Sequence, residues 1–167
     1  MGLDMYLASL PRIDGMELKQ LYLVDRNLAK WKEEGNELYQ KVKGFVRHYE
    51  EFGREWDSIV TEIAYWRKAN WLHHWFVTNV QEGNDDMFSY EVKRHHIAIL
   101  YNNCEMILLN KVKPYDALPT MPGPYWGSTS YDFYYFHEIE RSYTIFENLL
   151  KQPSFFDENI LLYQASW

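Results

Sequence analysis

Residues 62–79, EIAYWRKANWLHHWFVTN, constrain this chain more than any other stretch. Eighteen residues pass without a glycine or proline, so the run must be ordered. It holds Tyr65, Trp66, Trp71 and Trp75 beside Arg67, Lys68, Asn70, His73 and His74. Surface helices seldom carry so many rings, and core helices seldom carry so many hydrogen-bonding heads. Two foldings are open. As one helix, Glu62, Trp66, Asn70 and His73 (or His74) recur every three or four residues and share a face. As strand then helix, Ser58 to Trp66 is extended, Asn70 caps the helix, and Arg67-Lys68 stands at the corner beside free amides that favour anions. The β-branched residues before Tyr65 and the cap-competent asparagine favour the second.

The rest of the chain then reads as one α+β domain over 1–167, with four to five helices on a small sheet. Met1 to Leu10 alternates as a strand, with Leu3, Met5 and Leu7 on one side and Asp4 and Tyr6 on the other. The tail from Asn159 to Trp167 reads as a second strand able to pair with it, and the segment near Ile63 as a third. Between the first strand and the central run lies a helical hairpin at about 15–53, with helices expected over Glu17 to Lys32 and Glu37 to Phe52. A further helix is expected to begin at Ser89 or Tyr90, with Val92, His96, Ile99, Leu100, Met106, Ile107 and Leu108 inward. Another follows Ser128 or Thr129, either of which can cap it, and runs to Lys151 with Asp132 in its first turn. An all-α fold is the alternative if the central run is a single helix.

Composition narrows function. Of the 167 residues, 47% are hydrophobic and 25% charged, which is ordinary, but 18% are aromatic, with 14 tyrosines and 7 tryptophans, which points to a ligand cleft or a protein interface. A net charge of −7 argues against general nucleic-acid binding, although one Arg-Lys corner can still attract a small anion. Cys104 stands alone, so no intramolecular disulfide can form and a reducing, cytoplasmic setting is expected. No stretch approaches the roughly 18 apolar residues that span a bilayer. His73-His74 and His95-His96 lack a chelating spacing, the acidic loop at 81–86 lacks the alternation of a calcium loop, and no metal or cofactor is called for.

A second dense constellation, PYWGSTSYDFYYFHEIE from Pro124, mirrors the first. Three patterns recur together: MGLDMYL at the start, YWRKAN with His73 and Trp75-Phe76 in the centre, and GSTSYD from Gly127 with Tyr135. With the ending YQASW, this set resembles a family of small uncharacterised proteins of bacteriophages and prophages. The resemblance implies a phage-associated protein of the host cytosol and carries no activity of its own. By analogy, small phage proteins of this kind act on the host, including its immune signalling.

The residues themselves point to a nucleotide-derived ligand. Tyr65, Trp66 and Trp126 would stack, Arg67 and Lys68 would meet phosphate, and Asn70, Ser128, Thr129 and Asp132 would fix the sugar or base, with His73 and Tyr135 close by. No nucleophile elbow, Walker or dinucleotide fingerprint is present, so binding without catalysis leads. Two alternatives stand beside it: a nucleotide-acting hydrolase or transferase using Glu62 or His73 as acid-base group, and a protein-protein inhibitor of a host factor with Tyr, Trp and Arg anchors. A homo-oligomer stays open.

Overall fold

Alternation along both termini builds the centre of the molecule. The computed structural model describes residues 2–167. Strand β1 (Asp4–Pro11) lies between β4 (Thr61–Arg67) and β6 (Asn159–Ser166), and β5 (Tyr90–Val92) pairs with the far side of β6, all antiparallel. The sheet order is therefore β4-β1-β6-β5. Because side chains alternate, Leu3, Met5 and Leu7 face one side with Trp66, Leu161 and Tyr163, while Leu10, Ile160 and Leu162 face the other. Each face is hydrophobic, so each must be covered.

The first face carries α4 (Asn70–Asn79), α5 (Arg94–Leu108) and α7 (Phe133–Leu150), which bury Leu72, Phe76, Ile97, Leu100, Ile139 and Phe146 against it. The second is covered by α1 (Leu18–Arg26), α2 (Leu28–Glu33) and α3 (Glu37–Val42), through Leu21, Val24, Leu28 and Val42. Two four-residue helices, α6 (Pro114–Ala117) and α8 (Phe155–Glu158), punctuate the connections. The fold is α+β, with the terminal and central strands in the main sheet, and the single-helix reading of the central run is overturned. Cys104 is fully buried in the first cluster, where desolvation pushes its thiol up to about 12 and leaves it an inert packing group.

Four local expectations need correction. The stretch 37–52 is not one helix: α3 ends at Val42, and β2 (Arg47–Glu51) pairs with β3 (Arg54–Ser58) in a separate hairpin. Phe52 and Gly53 both take left-handed φ, 50° and 71°, which makes the two-residue turn whose twist matches paired strands. The helix expected from Glu17 to Lys32 breaks at Asn27, whose side chain donates back to Leu23 O at 2.8 Å. The segment after Ser89 begins as β5, since Tyr90–Val92 completes the backbone pairing of β6 before α5 starts. Within α5 the buried stripe is Ile97, Leu100, Cys104 and Ile107, and Ile99 faces outward.

Candidate functional site

The corner between β4 and α4 gathers the polar chemistry of the central run. Lys68 sits there with φ of 60°, a left-handed conformation that costs a non-glycine residue on the order of 1 kcal/mol. Its N–H donates to Leu3 O at 2.8 Å, which ties the corner to the start of the chain. A methyl group built on Gly2 would stand 3.5 Å from Lys68 Cε and 3.7 Å from Arg67 Nη2, so the two cationic side chains converge over that residue. Arg67 has one long ion pair, Nε to Asp4 at 3.9 Å, and Lys68 has none among the described residues.

Helix α4 opens directly onto this corner. No side chain caps it, and the backbone amides of Asn70 and Trp71 have no partner among the described residues. Asn70 is therefore not the cap its position promised. It is 1% exposed and works as a clamp: Nδ2 donates to Trp126 O at 3.1 Å and Ser128 O at 2.9 Å, and Oδ1 accepts from Met121 N at 3.2 Å. This one side chain fastens the 121–128 segment over the start of α4. Gly127, at φ of 93°, packs so closely that a methyl there would lie 3.0 Å from Lys68 Cβ.

The result is a recess of about 270 Å³ lined by Arg67, Lys68, Asn70, Trp71, Thr120, Ser128, Ser130, Asp132, Tyr134, Tyr135 and Glu138. Trp71 is 2% exposed and its indole N–H is buried without a partner among the described residues. The opening of α7 lines the same recess. Its cap is Asp132, whose Oδ1 accepts from Tyr134 N at 3.0 Å and Tyr135 N at 3.2 Å; neither Ser128 nor Thr129 serves. Tyr135 donates its hydroxyl to Leu118 O at 2.8 Å, so that ring is a wall and not a free donor.

Six residues singled out in the sequence thus meet: Arg67, Lys68, Asn70, Ser128, Asp132 and Tyr135. The expected stacking rings do not. Tyr65 points to the other side of the sheet, beside Tyr6, and donates to Asp4, a bond that raises its pKa. Trp66 is fully buried, donating to Ser142 Oγ at 2.9 Å. Trp126 is sealed against His73 and Trp167. Thr129 contributes only its carbonyl, which accepts from the Thr120 hydroxyl at 2.9 Å. The reason is common to the tryptophans: at these positions burial of the indole outweighs display of its face. The aromatic surfaces of the recess belong to Trp71, Tyr134 and Tyr135.

Glu62 and His73 lie apart from the recess. Glu62 borders a different concavity with Tyr49 and Trp56 at the base of the β2-β3 hairpin. His73 is fully buried between Tyr163 OH, 2.8 Å from Nδ1, and Asp85 Oδ1, 3.1 Å from Nε2. A neutral imidazole satisfies both partners, accepting from the tyrosine and donating to the carboxylate. Desolvation lowers the pKa of His73, opposed by Asp85, and desolvation raises that of Tyr163 far above its usual range. The unfolded chain therefore takes up a proton near pH 6.5 that the folded one resists, so this contribution is present above that pH and lost as pH falls below it. Half-buried His96, also lowered by desolvation, adds in the same sense. The urea midpoint is expected to drop between pH 7 and pH 5, and His73→Gln to flatten that drop; parallel curves for the two proteins would refute the assignment.

Glu138 and Tyr134 were missed, although their i, i+4 spacing after the Asp132 cap places them on one face of α7. Thr120 carried no sequence signal, because its position depends on the Asn70 clamp. A larger concavity of about 580 Å³ lies between α1 and residues 87–89, lined by Leu18, Tyr22, Leu23, Met87 and Phe88 together with Lys19, Arg26, Ser89 and Gln164. It holds cations but no carboxylate, whereas the smaller recess gathers both charges at an uncapped helix start and is the better candidate on chemistry. Among the described residues no group of three or more His, Cys, Asp or Glu is placed to hold a metal ion, and no helix is long and apolar enough to cross a membrane. No protein-family model, curated protein or solved structure matches the chain.

Proposed function

We propose that this is a phage-encoded, non-enzymatic protein that captures a small nucleotide-derived ligand in the recess between α4 and α7, withdrawing a host defence signal. The observation that carries this reading is the convergence of Arg67, Lys68 and the uncapped start of α4 on one recess. Guanidinium, ammonium and helix-terminal amides are the donor set that holds phosphate, and they strengthen one another where water is partly excluded. Lys68 in the left-handed region is strained, and strain of this kind clusters at ligand sites.

Size supports the same class. About 270 Å³ lies just under the range of roughly 300–1,000 Å³ typical of small-molecule sites, so the recess takes a phosphate and a sugar while a base rests at the mouth. Tyr134, 76% exposed, stands there with Phe133 beside it. Binding without turnover is favoured because no histidine or cysteine lines the recess, and each of its two carboxylates is held through one oxygen, Asp132 by the amides of α7 and Glu138 by Arg141 at 3.1 Å. The enzymatic alternative through Glu62 or His73 gains nothing from this geometry. The interface alternative draws on the exposed rings of Tyr125, Phe133 and Tyr134, and capture of one stoichiometric host protein would favour it.

Calorimetry against linear and cyclic nucleotides tests the reading. Arg67→Ala is expected to weaken binding about tenfold or more, the usual scale for a charge-assisted bond, with an unchanged thermal midpoint because Arg67 is surface-exposed. Chromatography of the recovered ligand should return it unaltered. No heat with any nucleotide would remove the proposal.

A further inference from the structure

The recess has two chemically opposite walls. Arg67, Lys68 and the start of α4 offer donors and positive charge; Asp132 and Glu138, lining the same recess, offer acceptors. Each carboxylate has only one oxygen in use. Asp132 Oδ1 takes the two α7 amides and Glu138 Oε2 takes Arg141 Nη1, while Asp132 Oδ2 and Glu138 Oε1 have no protein partner among the described residues. A bare anion would satisfy the first wall and set its charge against the second. The occupant must therefore be bipolar, with an anionic head and hydrogen-bond donors for two carboxylate oxygens.

Resting on the nucleotide reading above, we infer that the site selects ribonucleotides over deoxyribonucleotides, the 2′-hydroxyl of the sugar donating to Glu138 and the neighbouring 3′-hydroxyl to Asp132. A ribose diol supplies two adjacent donors, and a carboxylate is the acceptor that recognises a ribose hydroxyl in other nucleotide sites. Removing the 2′-hydroxyl leaves one acceptor facing the ligand unpaired, and sites built to bond a hydroxyl discriminate strongly against its absence. The engaged oxygens matter as well. They hold both carboxylates in fixed orientation, Asp132 by capping α7 and Glu138 through the same Arg141 that donates to Tyr65 O at 2.7 Å on β4. The selecting wall is thereby braced against the sheet that carries the phosphate wall.

The experiment is titration calorimetry of the full chain with inorganic phosphate, ribose 5-phosphate, 2-deoxyribose 5-phosphate, AMP and dAMP. The expected result is an affinity about tenfold higher for each ribose compound than for its deoxy partner. Glu138→Met, which keeps the bulk and removes both acceptors, should bring that ratio close to one while inorganic phosphate binds at least as well as before. Equal affinity for ribose and deoxyribose compounds, with phosphate still binding, overturns this inference and leaves the anion site standing. A ribose preference that survives in Glu138→Met overturns the assignment to that wall. Silence from every member, phosphate included, overturns the nucleotide reading itself.

Discussion

Asn70→Asp is expected to cost about 4 kcal/mol, which for a chain of this length lowers the thermal midpoint by roughly 10 °C or more. The substitution is isosteric, so packing is not at issue. What changes is the sign of the atom facing Trp126 O and Ser128 O, the two carbonyls that Nδ2 now serves at 3.1 and 2.9 Å. A carboxylate oxygen there meets two acceptors and no donor, in a position that is 1% exposed. The aspartate responds by holding a proton, which restores one of the two bonds. Its folded pKa is thus raised, and the deficit should shrink as pH falls, opposite to the His73 effect. Circular-dichroism melts at pH 7.5 and pH 5 measure both the loss and its recovery. A melt indistinguishable from the parent at pH 7.5 would show that the clamp carries no weight.

The second large effect is expected at Gly123. A methyl group there would overlap the six-membered ring of the Trp126 indole, which lies directly across the glycine. Trp126 cannot move cheaply, since it is 5% exposed and packed edge-on against His73, with ring centroids 5.0 Å apart, and against Trp167. Gly123→Ala should therefore cost about 3 kcal/mol, at the upper end for overpacking, and displace the indole. Tryptophan fluorescence shifted toward longer wavelength, together with a lowered urea midpoint, would report that displacement. Gly44 provides the comparison, because a methyl there meets nothing within 4 Å. Should Gly123→Ala behave like Gly44→Ala, the close packing of this loop is not a source of stability.

These two positions also separate what is local from what is not. The terminal strands were legible: Leu3, Met5 and Leu7 recur at every second residue, β6 carries the continuous apolar run Ile160 to Tyr163, and their pairing follows from two apolar faces that each need cover. The strand-to-helix corner at Arg67-Lys68 was legible for the same reason, since β-branched residues stop where the helix pattern begins. The β2-β3 hairpin was not. It is largely exposed on both faces, so no burial pattern marks it, and its Phe52-Gly53 turn lacks the Asn or Asp that usually announces one. Strand β5 was missed because three residues are too few for a period, and only the free edge of β6 makes them extended.

The amino-acid sequence by itself determined the α+β class, the terminal strand pair and the two polar segments that were to meet, because periodicity and residue chemistry are properties of neighbours along the chain. Tertiary structure alone decided which groups are presented and which are consumed. Asn70 became a clamp instead of a cap, Asp132 a cap with one oxygen to spare, Trp66 and Trp126 core instead of platform, and Glu138 part of the wall. At Asn70 and Trp66 the outcome turns on partners 50 or more residues away in the chain, and at Asp132 and Glu138 on which residues the fold brings to the recess beside them. That is a question of burial and geometry, and no local pattern of side chains encodes its answer.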